Sequence, residues 1–321
     1  MSFRIAFCFA CCVMLGSVAG CSNPSVPADT GSNPDVQQEQ DATTADAPLD
    51  VGGTDVAPVE TGADATPDSP AVDATDTGTA MAGGHLLITE VSVGTEFVEI
   101  TNLGTAAVDL TNYYLSDNST YHSIASGMPW NPTTMNPGTD FLARFPAGAM
   151  IPAGGVIVVA MDAMFQTTFR RCPDFVLLAG MLACEGGMAR AMVAPTNGDL
   201  GNQAGGMLSN AREMVVLFRW SGNTADRLFD VDYVTWGDMF DDGTRADKTG
   251  IARYVPDTAR AMQRGAPVPG VTDSIERCAI ETGERLTGGN GITGHDETSE
   301  RLDMSFRVQT MPTPGTRNAC L

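Results

Sequence analysis

The sequence predicts an all-β fold, an antiparallel β-sandwich that takes up the C-terminal part of the chain. Short runs rich in Val, Ile, Thr, Tyr and Phe recur from residue 85 onward, and Asn, Gly, Asp and Pro separate them. No sustained apolar pattern with the 3.6-residue helical period lies between these runs. Such spacing is typical of a sandwich. We therefore assign residues 83–321 to one β-sandwich domain with long loop insertions, and two domains are the less favoured alternative.

The strands are predicted in chain order from these runs. The segment 95–102 alternates apolar side chains with Glu and Thr, which predicts one buried face. In the segment that follows it, Val108, Leu110 and Leu115 are expected in the core. The other predicted strands are residues 85–91, 154–162, 212–220, 228–237 and 305–309.

The N-terminus carries the features of a bacterial lipoprotein signal. Arg4 precedes an apolar run, residues 5–15, that is shorter than the roughly 20 residues needed to span a bilayer. The sequence VAGC at residues 18–21 resembles the lipobox of such signals, with valine in place of the more usual leucine. The resemblance implies that residues 1–20 are removed and that Cys21 is acylated. An ordinary signal peptide cleaved near a cysteine is the alternative.

Residues 21–82 are predicted to combine the lipidated cysteine with a disordered acidic linker. From Ser22 to Ala82 the chain has 12 acidic residues and no Lys, Arg or aromatic residue. Low hydrophobicity and charge of one sign prevent the burial of enough apolar surface to form a core. We interpret the segment as a tether between an anchor and a domain. An acidic tail that binds a cationic partner is the alternative.

The charge of the chain argues against nucleic acid as a partner. The whole sequence has 39 acidic and 18 basic residues, with a net charge of −21. Lys248 is its only lysine, and no cluster of basic residues offers a face that could release counterions from phosphates. We therefore predict that the protein does not bind DNA or RNA.

Four of the eight cysteines are predicted to form disulfides. Cys8, Cys11 and Cys12 leave with the signal and Cys21 is acylated, which leaves Cys172, Cys184, Cys278 and Cys320. Three pairings are possible, and neighbourhood in sequence favours Cys172–Cys184 and Cys278–Cys320. A zinc site is the competing idea, but these four cysteines include no C-x₂-C pair and no histidine lies near them in sequence.

An ordered set of short motifs resembles the lamin tail domain in its bacterial, exported form. The motifs are ITEV (88–91), EFVEITN (96–102), VDL (108–110), PAGG (152–155), LSN (208–210), VVLF (215–218), SIER (274–277) and TPGTRN (313–318). The resemblance implies an immunoglobulin-like β-sandwich that is usually not catalytic and serves binding or attachment. Residues 163–207 and 238–272 exceed the usual loops of that family.

Catalytic motifs are not found in the sequence. There is no G-x-S-x-G elbow, Walker loop or H-E-x-x-H helix. DKTGI (247–251) looks like the phosphorylated aspartate motif of cation-pumping ATPases, but the α/β domain and membrane spans of that chemistry are absent. His295, Asp296 and Ser299 lie together in GHDETSE, which we interpret as a solvated loop and not as a triad. We predict no catalytic residue, no cofactor and no enzyme activity.

Two other groups of residues are weighed as binding sites. A glycine with Asp238, Asp241, Asp242 and Asp247 partly resembles a calcium loop, but the third-position acid and the closing glutamate are missing. No other metal site is predicted. Trp130, in a loop-like segment, and Tyr121 are named as a possible ligand surface for sugars or peptides, with core packing as the alternative. Tyr233 and Trp236 lie on an apolar strand and are expected in the core.

The expected function is that of a lipid-anchored binding or structural module at the cell surface. Its expected partners are the membrane, through acyl chains on Cys21, and a surface protein or polysaccharide. Ser22 replaces the aspartate that can signal inner-membrane retention, which favours the outer membrane. Alternatives are an accessory module that docks a surface hydrolase or a polysaccharide, and a metal-dependent hydrolase. An enzyme predicts a deep pocket with paired groups of perturbed pKa, whereas a binding module predicts exposed aromatic or acidic loops.

Overall fold

Strands dominate the part of the chain that the structure describes. This computed structural model describes residues 85–128, 140–180, 182–201, 207–237 and 242–321, and for Asp242 only the backbone. Within these ranges, no helix is both long enough and apolar enough to cross a membrane. The predicted signal, Cys21 and the predicted linker lie outside the described residues, so the predicted domain boundaries stay predictions.

Fourteen strands and two short α-helices lie within these residues. The strands are β1 (Leu86–Ser92), β2 (Phe97–Asn102), β3 (Val108–Asp109), β4 (Tyr113–Ser116), β5 (Leu142–Arg144), β6 (Met150–Ile151), β7 (Val156–Ala160), β8 (Phe175–Val176), β9 (Leu182–Cys184), β10 (Gly187–Ala191), β11 (Glu213–Arg219), β12 (Phe229–Trp236), β13 (Ser274–Arg277) and β14 (Phe306–Gln309). The α-helices are α1 (Met164–Phe169) and α2 (Leu302–Ser305), and the 3₁₀ helices are Tyr121–Ser126, Asp242–Thr244, Arg260–Met262 and Glu297–Ser299.

Two sheets form the layers of the sandwich. The larger has the order β14-β13-β1-β2-β7-β8-β10-β9, the smaller has the order β12-β11-β4-β5, and β3 pairs with β6 alone. Apolar side chains of both sheets, such as Ile88, Ile100, Leu115 and Val216, belong to one hydrophobic cluster of buried residues. The predicted core residues Val108, Leu110 and Leu115 are part of it. The prediction of an all-β, immunoglobulin-like sandwich is confirmed.

The first long insertion, 163–207, adds strands that the sequence did not predict. It contains β8, β9 and β10, and β8 pairs in parallel with both β7 and β10. This departs from the purely antiparallel sandwich that was predicted. Parallel neighbours need a crossover of about a dozen residues or more, and residues 161–174, with α1, provide it between β7 and β8. The Cys172–Cys184 disulfide joins the end of this crossover to β9.

Both faces of β2 are buried, although its alternating pattern predicted one exposed face. At its outer face, the Phe97 ring packs edge-on against Phe165 of α1, with 5.6 Å between centroids. Further along that face, Glu99 accepts hydrogen bonds from the Thr89 hydroxyl and from the Gly315 N–H, both 2.7 Å. The sequence pattern does give β2 an apolar face and a more polar face, but α1 and the C-terminal tail (residues 310–321) cover the polar face.

The C-terminal tail is fixed to the larger sheet. The Cys278–Cys320 disulfide links it to the residue that follows β13. The Asn318 side chain donates to the carbonyl of Thr89 on β1 (3.0 Å), and the Thr313 N–H donates to the carboxylate of Glu90 (3.1 Å). The tail therefore holds the two central strands and the turn after β13 in one arrangement.

Candidate functional site

A pocket of about 500 Å³ lies between the start of β1 and the segment that follows β13. Its polar lining includes His85, Glu281, Thr293, His295 and Glu297. The rest of the wall is formed by Leu86, Val108, Tyr113, Val231 and Ile292. With the neighbouring Glu284, the four histidine and glutamate residues of the lining make up the His/Glu cluster: His85, Glu281, Glu284, His295 and Glu297.

Glu281 and Glu284 lie on a turn just after Cys278, so the disulfide to Cys320 holds this turn in place. The Glu284 N–H donates to the Glu281 carbonyl at 3.2 Å. Glu281 has φ 45°, in the left-handed region that residues other than glycine seldom occupy. Backbone strain of this kind tends to be found at functional sites.

His295 and Glu297 are placed by the glycine-rich loop 288–294, which is paired to β12. The Asp230 N–H donates to the Asn290 carbonyl (3.1 Å), and the Ile292 N–H donates to the Asp230 carbonyl (2.7 Å). A Cβ on Gly291 would lie 2.5 Å from Glu297 Oε1, so a glycine is needed to leave room for this carboxyl group. The loop folds back on the sheet and brings His295 beside the two glutamates of the turn.

Three members of the cluster present atoms that could bind one ion. His295 Nδ1 lies 3.1 Å from Glu284 Oε2 and 4.0 Å from Glu281 Oε2. One ligand atom from each of Glu281, Glu284 and His295 falls within 4.8 Å of the others. On the far side, His85 Nε2 is 2.7 Å from Glu281 Oε1, which makes a hydrogen bond between the start of β1 and the turn.

Burial differs sharply between these side chains. His85 is 41% exposed, whereas the Glu284 side chain is fully buried. Glu284 Oε1 has no hydrogen-bond partner among the described residues. A buried oxygen without a partner is uncommon in folded proteins and needs an explanation. The cluster is therefore open to solvent at His85 and lacks hydrogen-bond donors at Glu284.

The cluster shifts the pKa of its own carboxyl groups. Burial, and then the charge of Glu281, raises the pKa of Glu284 to about 8. Burial and the nearby Glu284 raise the pKa of Glu297 well above its usual range. The hydrogen bond between His85 and Glu281 raises the pKa of His85 and lowers that of Glu281. Crowded carboxylates of this kind favour a cation in their midst.

Two buried ion-pair groups on β12 lie close to the pocket. Arg277 pairs with Asp232 (2.9 Å) and with Glu300 (2.6 Å). Lys248 pairs with Asp230 (2.8 Å) and Asp257 (3.0 Å). All six side chains are buried. Because each cation is held between two carboxylates inside the fold, these residues form the frame of the site. The solvent-exposed part is left to His85, Glu281 and His295 of the His/Glu cluster.

The predicted site residues fall into three groups. The disulfides join Cys172 to Cys184 and Cys278 to Cys320, the pairs that neighbourhood in sequence favoured. Tyr121, predicted as a possible ligand surface, is fully buried, and its hydroxyl donates to Asp230 (2.5 Å) while the Lys248 ammonium donates to it. That assignment is wrong for Tyr121, which belongs to the core. Tyr233 and Trp236 are buried in the core as predicted.

Other predicted residues are not tested. Trp130, Asp238 and Asp241 lie outside the described residues, as does the side chain of Asp242. Asp247 is partly buried and accepts a hydrogen bond from the Thr249 N–H (2.9 Å). The calcium loop therefore stays a prediction, as does acylation of Cys21.

The sequence analysis missed the His/Glu cluster and misread part of it. GHDETSE was interpreted as a solvated loop, but Asp296, Glu297 and Thr298 in it are buried. The signal that could have found the site is the combination of a strained turn after a paired cysteine with a glycine-rich loop that ends in histidine. His85, which lies about 200 residues away in sequence, gives no local signal.

Comparison with known proteins identifies a domain within the chain. The sequence model of the Lamin Tail Domain family matches residues 79–238. The chain contains a lamin tail domain. The predicted resemblance is confirmed over this range, and residues 239–321 extend the larger sheet of the lamin tail domain through β13 and β14.

Solved structures and curated proteins add little to the lamin tail domain match. A crystal structure of a DUF4876 family protein from Bacteroides thetaiotaomicron VPI-5482 matches with 14% identity and a TM-score of 0.39, and the match covers 74% of each chain. No curated protein matches the chain.

Proposed function

We propose that the protein is an exported, lipid-anchored and non-catalytic binding module, with its lamin tail domain carried above the membrane on the linker 22–82. The lipobox-like VAGC and the acidic linker in the sequence support the anchor and the tether. Two disulfides support export, because such bonds persist in oxidising compartments. The lamin tail domain supports a role in binding or attachment at the cell surface.

The observation that carries the binding role is the pocket at the His/Glu cluster. It is concave, has apolar walls and directs a few polar groups to one place, which is how binding sites are usually built. We place the binding site there and not at the aromatic loop of Trp130. A surface protein or a polysaccharide remains the proposed macromolecular partner, and docking of a surface hydrolase is one form of that role.

A second candidate function, a metal-dependent hydrolase, is favoured by one observation. The pocket contains paired carboxyl groups whose pKa values are raised, with Glu284 at about 8, and such pairs occur at catalytic sites. Hydrolysis assays with ester, phosphodiester and glycoside substrates, with and without Zn²⁺, distinguish the hydrolase from the binding module. Turnover by the wild type that is lost in Glu284→Gln would show that the protein is a hydrolase and not a binding module.

The anchor is tested in the native bacterium by fractionation and intact mass. The mature chain should begin at an acylated Cys21, remain in the membrane fraction and gain the mass of four hydrogens when both disulfides are reduced. Cys21→Ser should leave the membrane fraction. Cys12→Ser, inside the predicted signal, is the matched control and should behave like wild type. An unacylated mature chain, or a Cys21→Ser protein that stays anchored, would overturn the anchor.

A further inference from the structure

We propose that the His/Glu cluster binds one divalent transition-metal ion of the zinc class, with Glu281, Glu284 and His295 as its ligands. This site adds a metal ion to the proposed binding site. It rests on the proposed function only in that both place the binding site in this pocket.

The spacing of the three side chains suits a small ion. Zinc binds imidazole nitrogen and carboxylate oxygen at about 2.0–2.2 Å, which places neighbouring ligand atoms roughly 3.4 Å apart in a tetrahedron. His295 Nδ1 lies 3.1 Å from Glu284 Oε2 and 4.0 Å from Glu281 Oε2, on either side of that value. Small side-chain rotations would bring the three atoms to one ion.

The burial of Glu284 points to a missing partner. Its side chain is fully buried, and no N–H or hydroxyl group in the part of the chain that the structure describes donates to Oε1. The carboxyl group to which Glu284 is hydrogen-bonded belongs to another acid, Glu297. Next to it, Glu281 and Glu297 are both acidic, and the imidazole of His295 is the nearest basic group. An ion with two positive charges would satisfy this carboxylate and relieve the repulsion among the three acids.

The donor set selects the class of metal. Ca²⁺ and Mg²⁺ prefer oxygen ligands alone, whereas one imidazole with two carboxylates suits zinc and its neighbours among the transition metals. A second group, Glu276 with Cys278 and Cys320, has ligand atoms within the same reach. Its two sulfurs are bonded to each other, so it offers no thiolate and is not a competing site.

The surroundings of the three ligands have the features of a metal site with an open position. His85 holds the other oxygen of Glu281 through a 2.7 Å hydrogen bond, as outer-shell partners do for metal ligands. The pocket lies in front of His295 and Glu281, and both side chains retain some exposure. The remaining coordination position would face this space, where a water molecule or an oxygen of the bound partner could occupy it.

Zn²⁺ and Co²⁺ are the probes for the test, added to metal-free full chain carrying Cys21→Ser. Calorimetry should give one Zn²⁺ per chain, and Co²⁺ should develop visible absorption bands of a site with fewer than six ligands. Loss of an outer-shell partner alone weakens metal binding about 10–100-fold. His295→Gln and Glu284→Gln each remove a ligand, so each should weaken Zn²⁺ binding about a hundredfold or more.

The matched control is Glu185→Gln, which removes an exposed carboxylate far from the cluster in sequence and should bind Zn²⁺ like wild type. Melting temperatures of the metal-free variants show whether each one folds. Absence of Zn²⁺ binding in the wild type, or Zn²⁺ binding in both ligand variants as tight as in the wild type, would overturn the site. Ca²⁺ binding that needs Glu284 but not His295 would also overturn it. None of these results touches the anchor, which is tested by fractionation.

Discussion

At the scale of single residues, buried carboxyl groups determine how the protein responds to pH. Glu96, in the turn between β1 and β2, is the clearest case outside the pocket. Its Oε2 accepts hydrogen bonds from the N–H groups of Met207 and Leu208, each at 3.0 Å. Burial nevertheless raises the pKa of Glu96 to about 7, because the two hydrogen bonds do not offset the loss of hydration.

Glu96→Gln should remove a pH-dependent part of the stability. The folded protein holds an extra proton between pH 4.5, the ordinary pKa, and about pH 7. The contribution of this group is therefore fully present below pH 4.5 and is lost as pH rises through 7. Relative to the variant, wild type should lose on the order of 2–3 kcal/mol of unfolding free energy over this range.

Urea unfolding of both proteins at several pH values measures this difference. The amide oxygen of glutamine can still accept both N–H groups, so the variant should fold. Glu185→Gln, which makes the same change at an exposed side chain, is the control. A difference between wild type and Glu96→Gln that does not change with pH would contradict the assignment.

The buried Lys248 gives a second prediction at this scale. Its ammonium contacts Asp230, Asp257 and the Tyr121 hydroxyl at 2.8, 3.0 and 2.8 Å. Lys248→Met leaves two buried aspartates without their cation, and loss of one partner of a buried pair costs about 3–5 kcal/mol. Chemical unfolding should show this loss. Arg301→Gln breaks an exposed pair with Asp303 and should leave stability nearly unchanged.

At the scale of elements, the two disulfides should differ in what they stabilise. Cys278–Cys320 spans 42 residues and Cys172–Cys184 spans 12. In the chain-entropy model, the loss on removal is about 4 kcal/mol for the first and about 3 kcal/mol for the second. The clearer contrast is functional, because only the first bond holds the turn that carries Glu281 and Glu284.

The double variants Cys278→Ala/Cys320→Ala and Cys172→Ala/Cys184→Ala are matched controls for each other. Unfolding free energies measure the stability, and Zn²⁺ titration measures the cluster. We expect weaker Zn²⁺ binding only in the first variant. Equal Zn²⁺ affinity in the two would mean that the turn keeps its shape without the bond to the tail.

The strands of the central sandwich could be predicted because their pattern is local. Period-two alternation and turn residues place β1, β2, β7, β11, β12 and β14 within a few residues of where they lie. The added strands β8–β10 could not be predicted in this way. They are two to five residues long, and their pairing depends on a crossover through α1. Burial of the polar face of β2 was also hidden, because the covering residues lie far away in sequence.

The candidate site was less predictable than the fold. Its residues come from the start of β1, a turn after β13 and a glycine-rich loop, and only the pairing of β1 with β13 and of the loop with β12 brings them together. No motif with fixed spacing marks such a site. The cysteine pairs were predictable because four cysteines allow only three pairings, and neighbourhood in sequence favours the one that the structure has.

At the scale of the whole molecule, the C-terminal tail closes the domain by covering the outer face of the larger sheet. A chain truncated after Gln309 loses the disulfide and also the hydrogen bonds from Thr313, Gly315 and Asn318 to β1 and β2. Hydrogen bonds to charged groups contribute about 1.5–3 kcal/mol each. The truncated chain should therefore be less stable than Cys278→Ala/Cys320→Ala by about 3 kcal/mol or more.

Denaturant unfolding of the two proteins side by side measures this difference, since both lack the Cys278–Cys320 bond. If their stabilities are equal, the tail contributes to stability through its disulfide alone. Its hydrogen bonds to Glu90 and Glu99 would then be no stronger than the hydrogen bonds to water that replace them.

The central place of β1 has a mechanical consequence for a chain held at Cys21. A pull along the linker enters the domain at His85 and acts along β1, which is hydrogen-bonded on one side to β2 and on the other to β13. Both rows of bonds would resist together in shear, so the strand should withstand tension well. His85 lies at the end of β1 where the pull enters, and its carbonyl accepts the first of these bonds, from the Leu103 N–H (2.7 Å), so this residue is loaded first. Tension on the tether would therefore break the hydrogen bond between His85 and Glu281 before the sandwich unfolds. The pocket would respond to force before the fold does.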